Sequence, residues 1–114
     1  MTTALQTIKI NKKITLELSR SAYEYLFRLI ASADFNALDQ DTGLMVRFII
    51  ERVYLRMVRK MCAPLPAKVK LSLKSAEAVA LSHTLNTIDL VASGDAYGVN
   101  LVNMVCGTID QKLA

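Results

Sequence analysis

The chain has 114 residues, a net charge of +4, 53% hydrophobic residues and a mean hydropathy of +0.31. This length fits a single domain, residues 1–114, that can bury a hydrophobic core without disulfides or metals. No apolar run approaches the roughly 20 residues of a membrane helix, and no secretory signal precedes the first polar segment. With two widely spaced cysteines, these features predict a cytoplasmic protein with no membrane partner.

The first predicted element is a strand. Ile14, Leu16 and Leu18 fall at every second position, which predicts a strand over 13–18 with one buried face. A looser arm beginning at Ile8 precedes it.

The next segment carries a helical pattern. The spacing from Ser21 to Glu24 is that of a capping box, which predicts a helix from there to a point near Asp34. The residues predicted to share its buried side are Ala22, Leu26, Leu29, Ile30 and Ala33. Residues 34–43 are predicted to form an acidic loop of solvated side chains that closes on Gly43.

The segment 44–62 predicts a helix with two apolar faces. One face comprises Val46, Ile50, Val53, Tyr54, Met57 and Met61, and a separate one comprises Leu44, Phe48 and Leu55. A polar stripe of Arg52, Arg56, Arg59 and Lys60 lies between them. A helix with two apolar faces must be covered on two sides, so we expect it at the centre of the fold or at an oligomer interface.

After Pro64 and Pro66 the pattern restarts. Residues 68–73 alternate as a second strand, with Val69, Leu71 and Leu73 facing inward. Ser75 is a candidate N-cap for a helix whose predicted buried side contains Ala78, Leu81, Leu85 and Ile88. A Ser-Gly-Asp turn at 93–95 precedes a last amphipathic helix over 96–113, whose apolar residues are Leu101, Val102, Val105, Ile109 and Leu113.

The restart predicts an internal repeat, with unit 1 at about 8–62 and unit 2 at about 67–114. When Lys13 is aligned with Lys68, the strand phase and the first helical face align together. The alternative is that any two strand–helix pairs would match this well. The predicted fold is mostly helical α+β, with two strand–helix–helix units, four helices and a small two-stranded antiparallel ribbon.

No catalytic or metal-binding pattern is present. The single histidine, His83, borders the apolar side of its helix, and there is no Cys-x-x-Cys pair or Gly-rich phosphate loop. Cys62 and Cys106 are predicted to be small core residues. We therefore expect no catalytic residues, no metal, no cofactor and no enzymatic activity.

Positive charge is concentrated in residues 47–74, which carry a net +7, whereas the rest of the chain carries −3. Such asymmetry is typical of a surface for phosphate or another anionic partner. The alternative is a solvated helix face followed by a basic strand.

The strand and two helices between Lys13 and Lys60 resemble the topology of the ribbon–helix–helix family of DNA-binding proteins, with a fainter echo at 68–113. In that family two strands form a ribbon whose polar face enters the major groove. The resemblance implies DNA contacts from the outward-facing residues Lys13, Thr15, Glu17, Lys68, Lys70 and Ser72. The sequence differs from that family in its long 34–43 loop, in the acidic Glu17 and in the basic stripe on the second helix.

The leading interpretation is a small non-enzymatic protein-binding or assembly module that forms homo-oligomers. The alternative is a DNA-binding protein of the ribbon–helix–helix type. The candidate contacts for a protein or nucleic-acid partner are Lys13, Thr15, Lys68, Lys70, Arg52, Arg56, Arg59 and Lys60.

Overall fold

The computed structural model describes residues 13–33, 40–88, 90 and 94–113. In chain order these residues form β1 (Lys13–Ser19), α1 (Arg20–Ala31), α2 (Gln40–Met61), β2 (Lys68–Lys74), α3 (Ser75–Asn86) and α4 (Ala96–Leu113). In this part of the chain, the four helices and the two-stranded antiparallel sheet confirm the predicted mostly helical α+β class. The predicted arm at 8–12, residues 34–39 of the acidic loop and Ser93 lie outside the described residues.

The two strands pair along their full length. Lys13 lies opposite Lys74, Leu16 opposite Leu71, and Ser19 opposite Lys68. The inner face of this ribbon consists of six almost fully buried side chains, Ile14, Leu16, Leu18, Val69, Leu71 and Leu73. The period-two alternation therefore identified the buried face of both strands correctly.

The strands and the helices that follow them repeat at the spacing from Lys13 to Lys68, the alignment predicted from the sequence. β2 follows β1 at the same distance along the chain at which α3 follows α1, with strands of 7 residues and helices of 12 residues in both cases. The central pair of the ribbon, Leu16 and Leu71, is separated by the same offset. A local two-fold axis through this pair would exchange the two strand–helix units. A duplication of the chain stays a prediction, and this shared offset is what supports it.

The first helix begins earlier than predicted. The Ser19 hydroxyl, not that of Ser21, accepts the hydrogen bond from the amide of Ala22 at 3.2 Å, so Ser19 is the N-cap. The strand passes directly into the helix without a loop, which places the last strand residue at the capping position. The helix also ends earlier, at Ala31, so that Ala33 lies beyond it.

The second helix also begins before its predicted start at residue 44. It starts at Gln40 and includes Gly43, which was predicted to close the preceding loop. Asp41 lies in the first turn, where a carboxylate interacts favourably with the helix dipole. Gly43 is buried within the helix, where glycine costs roughly 1 kcal/mol relative to alanine.

The cap of α3 lies one residue before the predicted N-cap, Ser75, which is the first residue of the helix. The amide of Lys74 donates to Oε1 of Glu77 at 2.8 Å. This is the carboxylate half of a capping box, in which the side chain three residues into the helix reaches back to the preceding amide.

Glycine is required at two positions around the start of α4, one in the preceding turn and one in the first turn of the helix. Gly94 has a φ of +74°, which L side chains rarely adopt. The amide of Gly98 donates to Oδ1 of Asp95 at 2.9 Å, so Asp95 caps α4. A Cβ atom on Gly98 would lie 2.5 Å from Oδ2 of Asp95 and 3.0 Å from a methyl group of Leu90. Glycine therefore allows the cap and the Leu90 side chain to pack together.

All four helices contribute to one hydrophobic cluster over the inner face of the ribbon. A buried polar contact joins α1 to α2 within it, because the hydroxyl of Tyr23 donates to the carbonyl of Met57 at 3.1 Å. Tyr23, Val53 and Met57 are fully buried. This hydrogen bond satisfies the one polar atom of a large core side chain.

We predict that Tyr23→Phe lowers the free energy of unfolding by about 1 kcal/mol at neutral pH, because it removes this hydrogen bond without leaving a large cavity. Burial raises the pKa of Tyr23 to about 12, from an ordinary value of 10.0. The unfolded chain therefore ionises first as pH rises, and the wild-type advantage is full below pH 10 and decreases towards pH 12.

Chemical denaturation of both proteins at several alkaline pH values measures this difference. A difference in the free energy of unfolding between wild type and Tyr23→Phe that stays constant from pH 8 to pH 12 would contradict the raised pKa of Tyr23. The comparison cancels the titration of the other tyrosines and the lysines, because both proteins share them.

Candidate binding surfaces

The outer face of the ribbon is polar and mainly basic. It consists of Lys13, Thr15, Glu17, Ser19, Lys68, Lys70, Ser72 and Lys74. Four of the predicted contacts, Lys13, Thr15, Lys68 and Lys70, therefore share one surface. Across the ribbon, the hydroxyls of Thr15 and Ser72 lie 3.4 Å apart, and Nζ of Lys70 lies 3.9 Å from Oε1 of Glu17. The single acid leaves this face with a net positive charge.

Lysines from the two long helices cover the edges of the ribbon. Nζ of Lys112 in α4 donates to the carbonyl of Thr15, and Nζ of Lys60 in α2 donates to the carbonyl of Lys70, both at 2.8 Å. Thr15 aligns with Lys70 at the offset of the predicted repeat, so the two contacts occur at equivalent positions of the strands. Such contacts hinder pairing of an exposed strand edge with another chain. Lys60, a candidate partner contact, is thus already bound within the chain.

Arg56 also contacts its own chain. Its Nη2 lies 2.7 Å from Oε1 of Glu77, whose side chain is only 11% exposed, against 38% for Arg56. Nε and Nη2 of Arg56 have no aligned hydrogen-bond acceptor in the described residues, so this contact is an ion pair without hydrogen-bond geometry. Glu77 therefore both caps α3 and attracts α2. Of the predicted basic stripe, Arg52, Arg59 and Lys60 are exposed, and Arg56 is half-buried.

The second apolar face of α2 is open to solvent. Leu44, Phe48 and Leu55 are 49%, 69% and 55% exposed. At roughly 100° per residue they lie within about 40° of one another around the helix, and we call them the apolar stripe. The opposite side of the helix is the core face, whose buried members are Val46, Ile50, Val53 and Met57.

Two residues predicted on the core face differ from the other four. Tyr54 is half-buried and stacks on Phe27 with ring centroids 4.8 Å apart. Met61 is exposed, because it is the last residue of the helix and the chain turns away towards the prolines.

An apolar groove of about 510 Å³ separates α2, α3 and the end of α4. Its lining consists of Thr42, Met45, Val46, Ile49, Ser75, Ala76, Val79, Ala80, His83 and Leu113. The sequence did not predict this groove, because its wall combines residues of three helices that are distant along the chain. The only local signal is the pair Met45 and Ile49, which lie between the two apolar faces of α2. His83 is exposed at the groove.

The two cysteines are free thiols in different environments. Cys62 is exposed, which corrects its prediction as a core residue, because it follows the last turn of α2. Cys106 is half-buried and accepts a hydrogen bond from the Ser82 hydroxyl at 3.7 Å. Burial raises the pKa of the Cys106 thiol, and the charge of Asp110 acts in the same direction. The hydrogen bond from Ser82 opposes this shift of the pKa and is outweighed by burial.

In the described part of the chain, no group of three or more His, Cys, Asp or Glu residues is arranged to hold a metal ion. No helix among these residues is long and apolar enough to cross a membrane.

The chain matches no protein-family model, no curated protein and no solved structure. The described residues offer two candidate binding surfaces, the outer face of the ribbon and the apolar stripe.

We predict that Glu77→Ala lowers the free energy of unfolding by about 1–2 kcal/mol, because it removes both the cap of α3 and the partner of Arg56. Glu77→Gln keeps an acceptor for the Lys74 amide, so its cost is expected below about 1 kcal/mol. Denaturant unfolding of Glu77→Gln, Arg56→Met and the double variant measures the coupling between the two side chains. Equal losses for Glu77→Ala and Glu77→Gln would show that the cap contributes nothing.

Proposed function

We propose that this protein is a non-enzymatic assembly module that forms homo-oligomers through the apolar stripe of α2. The observation that carries the proposal is the exposure of Leu44, Phe48 and Leu55 on the side of the helix opposite the core. Isolated exposed apolar residues are ordinary, whereas three aligned on one helix are typical of an interaction surface.

Burial of the apolar stripe favours weak association. Full burial of one large apolar side chain contributes about 1.5–3 kcal/mol, and the stripe is already about half covered. A two-fold interface would bury six such side chains, enough to offset an association cost that starts at about 4 kcal/mol. Six half-exposed side chains contribute about 5–9 kcal/mol, so the net gain is at most about 5 kcal/mol, and we expect weak self-association with a dissociation constant of about 0.2 mM or higher.

The proposal includes a cytoplasmic location. The exposed thiol of Cys62 is compatible with a reducing compartment, in which free cysteines persist. A different protein could bind the same stripe. Formation of a dimer by the purified protein alone would support self-association instead.

We predict that Leu55→Gln weakens self-association about 100-fold, because a two-fold interface contains this side chain twice and the substitution removes both apolar contacts. Glutamine keeps the helix propensity of leucine, so the fold is expected to persist. Light scattering and sedimentation at concentrations from about 10 μM to about 1 mM measure the change.

The matched control is Met104→Gln, which alters a side chain of similar exposure (49%) on α4. This control is expected to leave the oligomeric state unchanged. A wild-type protein that is strictly monomeric and binds no hydrophobic dye would refute the proposal.

A second candidate function is duplex DNA binding by the ribbon. It is favoured by the four lysines on the outer face, Lys13, Lys68, Lys70 and Lys74, against one acid, Glu17. A two-stranded ribbon can enter the major groove, and lysines on it would neutralise phosphates.

For this candidate we predict salt-dependent binding that weakens in the variant Lys68→Ala, Lys70→Ala. The slope of log affinity against log salt is expected to fall by about 2, because two phosphate contacts are lost. Fluorescence anisotropy with a labelled random duplex measures both quantities. Arg28→Ala, which removes an exposed charge of α1, is the control. Undetectable binding of the wild type at low salt would eliminate this candidate.

A further inference from the structure

The apolar stripe belongs to a longer seam with heptad spacing. Steps of four and three residues, repeated in turn, connect Leu44, Phe48, Glu51, Leu55, Val58 and Cys62. All are exposed except Val58, which is half-buried. This spacing keeps one line of side chains facing a partner helix, as in coiled coils. Glu51 is the only charged residue in the seam.

Charged side chains flank the seam in an unequal pattern. At roughly 100° per residue, Arg47 lies on the same flank as Glu51, whereas Asp41, Arg52 and Arg59 lie on the other flank. Nε of Arg47 is 3.4 Å from Oε1 of Glu51, and both side chains are more than half exposed. Because both side chains reach solvent, each can also form an ion pair with an oppositely charged side chain of a partner.

We propose that the seam binds the seam of a second copy in antiparallel orientation, with Leu44 of each copy packed against Leu55 of the other. This inference rests on the proposed self-association and specifies its geometry. The two-fold axis crosses α2 near Ile49 and Ile50, so the interface is isologous and uses residues from Asp41 to Arg59 of both copies.

The distribution of charge selects this orientation. A two-fold axis perpendicular to the helices brings the same flank of both copies together. Glu51 then meets Arg47 of the second copy on one flank, and Asp41 meets Arg59 of the second copy on the other. Each pair occurs twice, so all four exposed acids of the two helices have a basic partner.

The aromatic ring in the seam also gains a contact. In this register Phe48 lies beside Arg52 of the second copy, on the flank that carries the guanidinium. A guanidinium over an aromatic ring is an attractive arrangement. Phe48 has the most exposed side chain of the stripe, and the contact would cover it.

A parallel arrangement of the same seam is disfavoured. It would place Glu51 against Glu51 of the second copy at the centre of the interface. It would also place Arg47 beside Arg52 of the second copy, at the positions that form interhelical ion pairs in parallel coiled coils. Like charges at such sites are repulsive, and partial burial strengthens the repulsion.

The test uses charge reversal at Asp41 and Arg59. These residues are 18 positions apart on one helix, about 27 Å, so they cannot contact each other within a chain. Asp41→Arg and Arg59→Asp are each expected to weaken self-association about tenfold, because two attractive pairs become repulsive. The double variant restores the attraction across the interface and is expected to regain nearly wild-type affinity. Asp110→Arg, on α4, is the control and is expected to have no effect.

Native Cys62 reports the orientation. In the antiparallel dimer the two Cys62 thiols lie more than about 30 Å apart, so mild oxidation yields no disulfide-linked dimer. In a parallel dimer they would be adjacent and would cross-link.

The measurements are sedimentation equilibrium of each full-length variant, with circular dichroism to confirm folding. Dimerisation with unchanged affinity in both single variants, no rescue in the double variant, or a Cys62 cross-link would overturn the antiparallel geometry and leave the proposed self-association intact. A monomeric wild type would overturn both.

Discussion

The antiparallel pairing of β1 with β2 is the constraint on which the rest of the structure depends. Neither strand has another strand beside it in the described residues, so the hydrogen bonds of the sheet run only between these two strands. The register, centred on Leu16 and Leu71, joins the beginning of the chain to its middle and places six apolar side chains on one side. The helices that follow each strand then pack over this common face.

The two long helices secure the ribbon in a crossed manner. Lys60, from the helix that precedes β2, binds the edge of β2, and Lys112, from the last helix, binds the edge of β1. The ion pair between Arg56 and Glu77 similarly joins α2 to α3. These contacts hold the two strand–helix–helix units together. They also explain why some basic residues that the sequence suggests as partner contacts, such as Lys60 and Arg56, already bind groups of their own chain.

This arrangement also explains why α2 is the element most suited to bind a partner. The core uses only one of its two apolar faces, because the ribbon and the other helices lie on one side of it. The opposite face keeps Phe48 and Leu55 in solvent, flanked by charges of both signs. Apolar contacts would supply affinity there, and the charges would select orientation, a division that is common in helix pairs.

The sequence by itself determined the strands, their buried face, the four helices and the presence of a second apolar face on α2, because these follow from the periodicity of neighbouring residues. That this second face lies in solvent was decided by the tertiary structure. Helix starts were less certain: the capping pattern at Ser21 is local, whereas the direct passage of strand into helix selects Ser19. Only the tertiary structure decided the partner of Arg56 and the apolar groove beside Met45 and His83. Those features join residues from different helices, and no spacing along the chain records which helices meet.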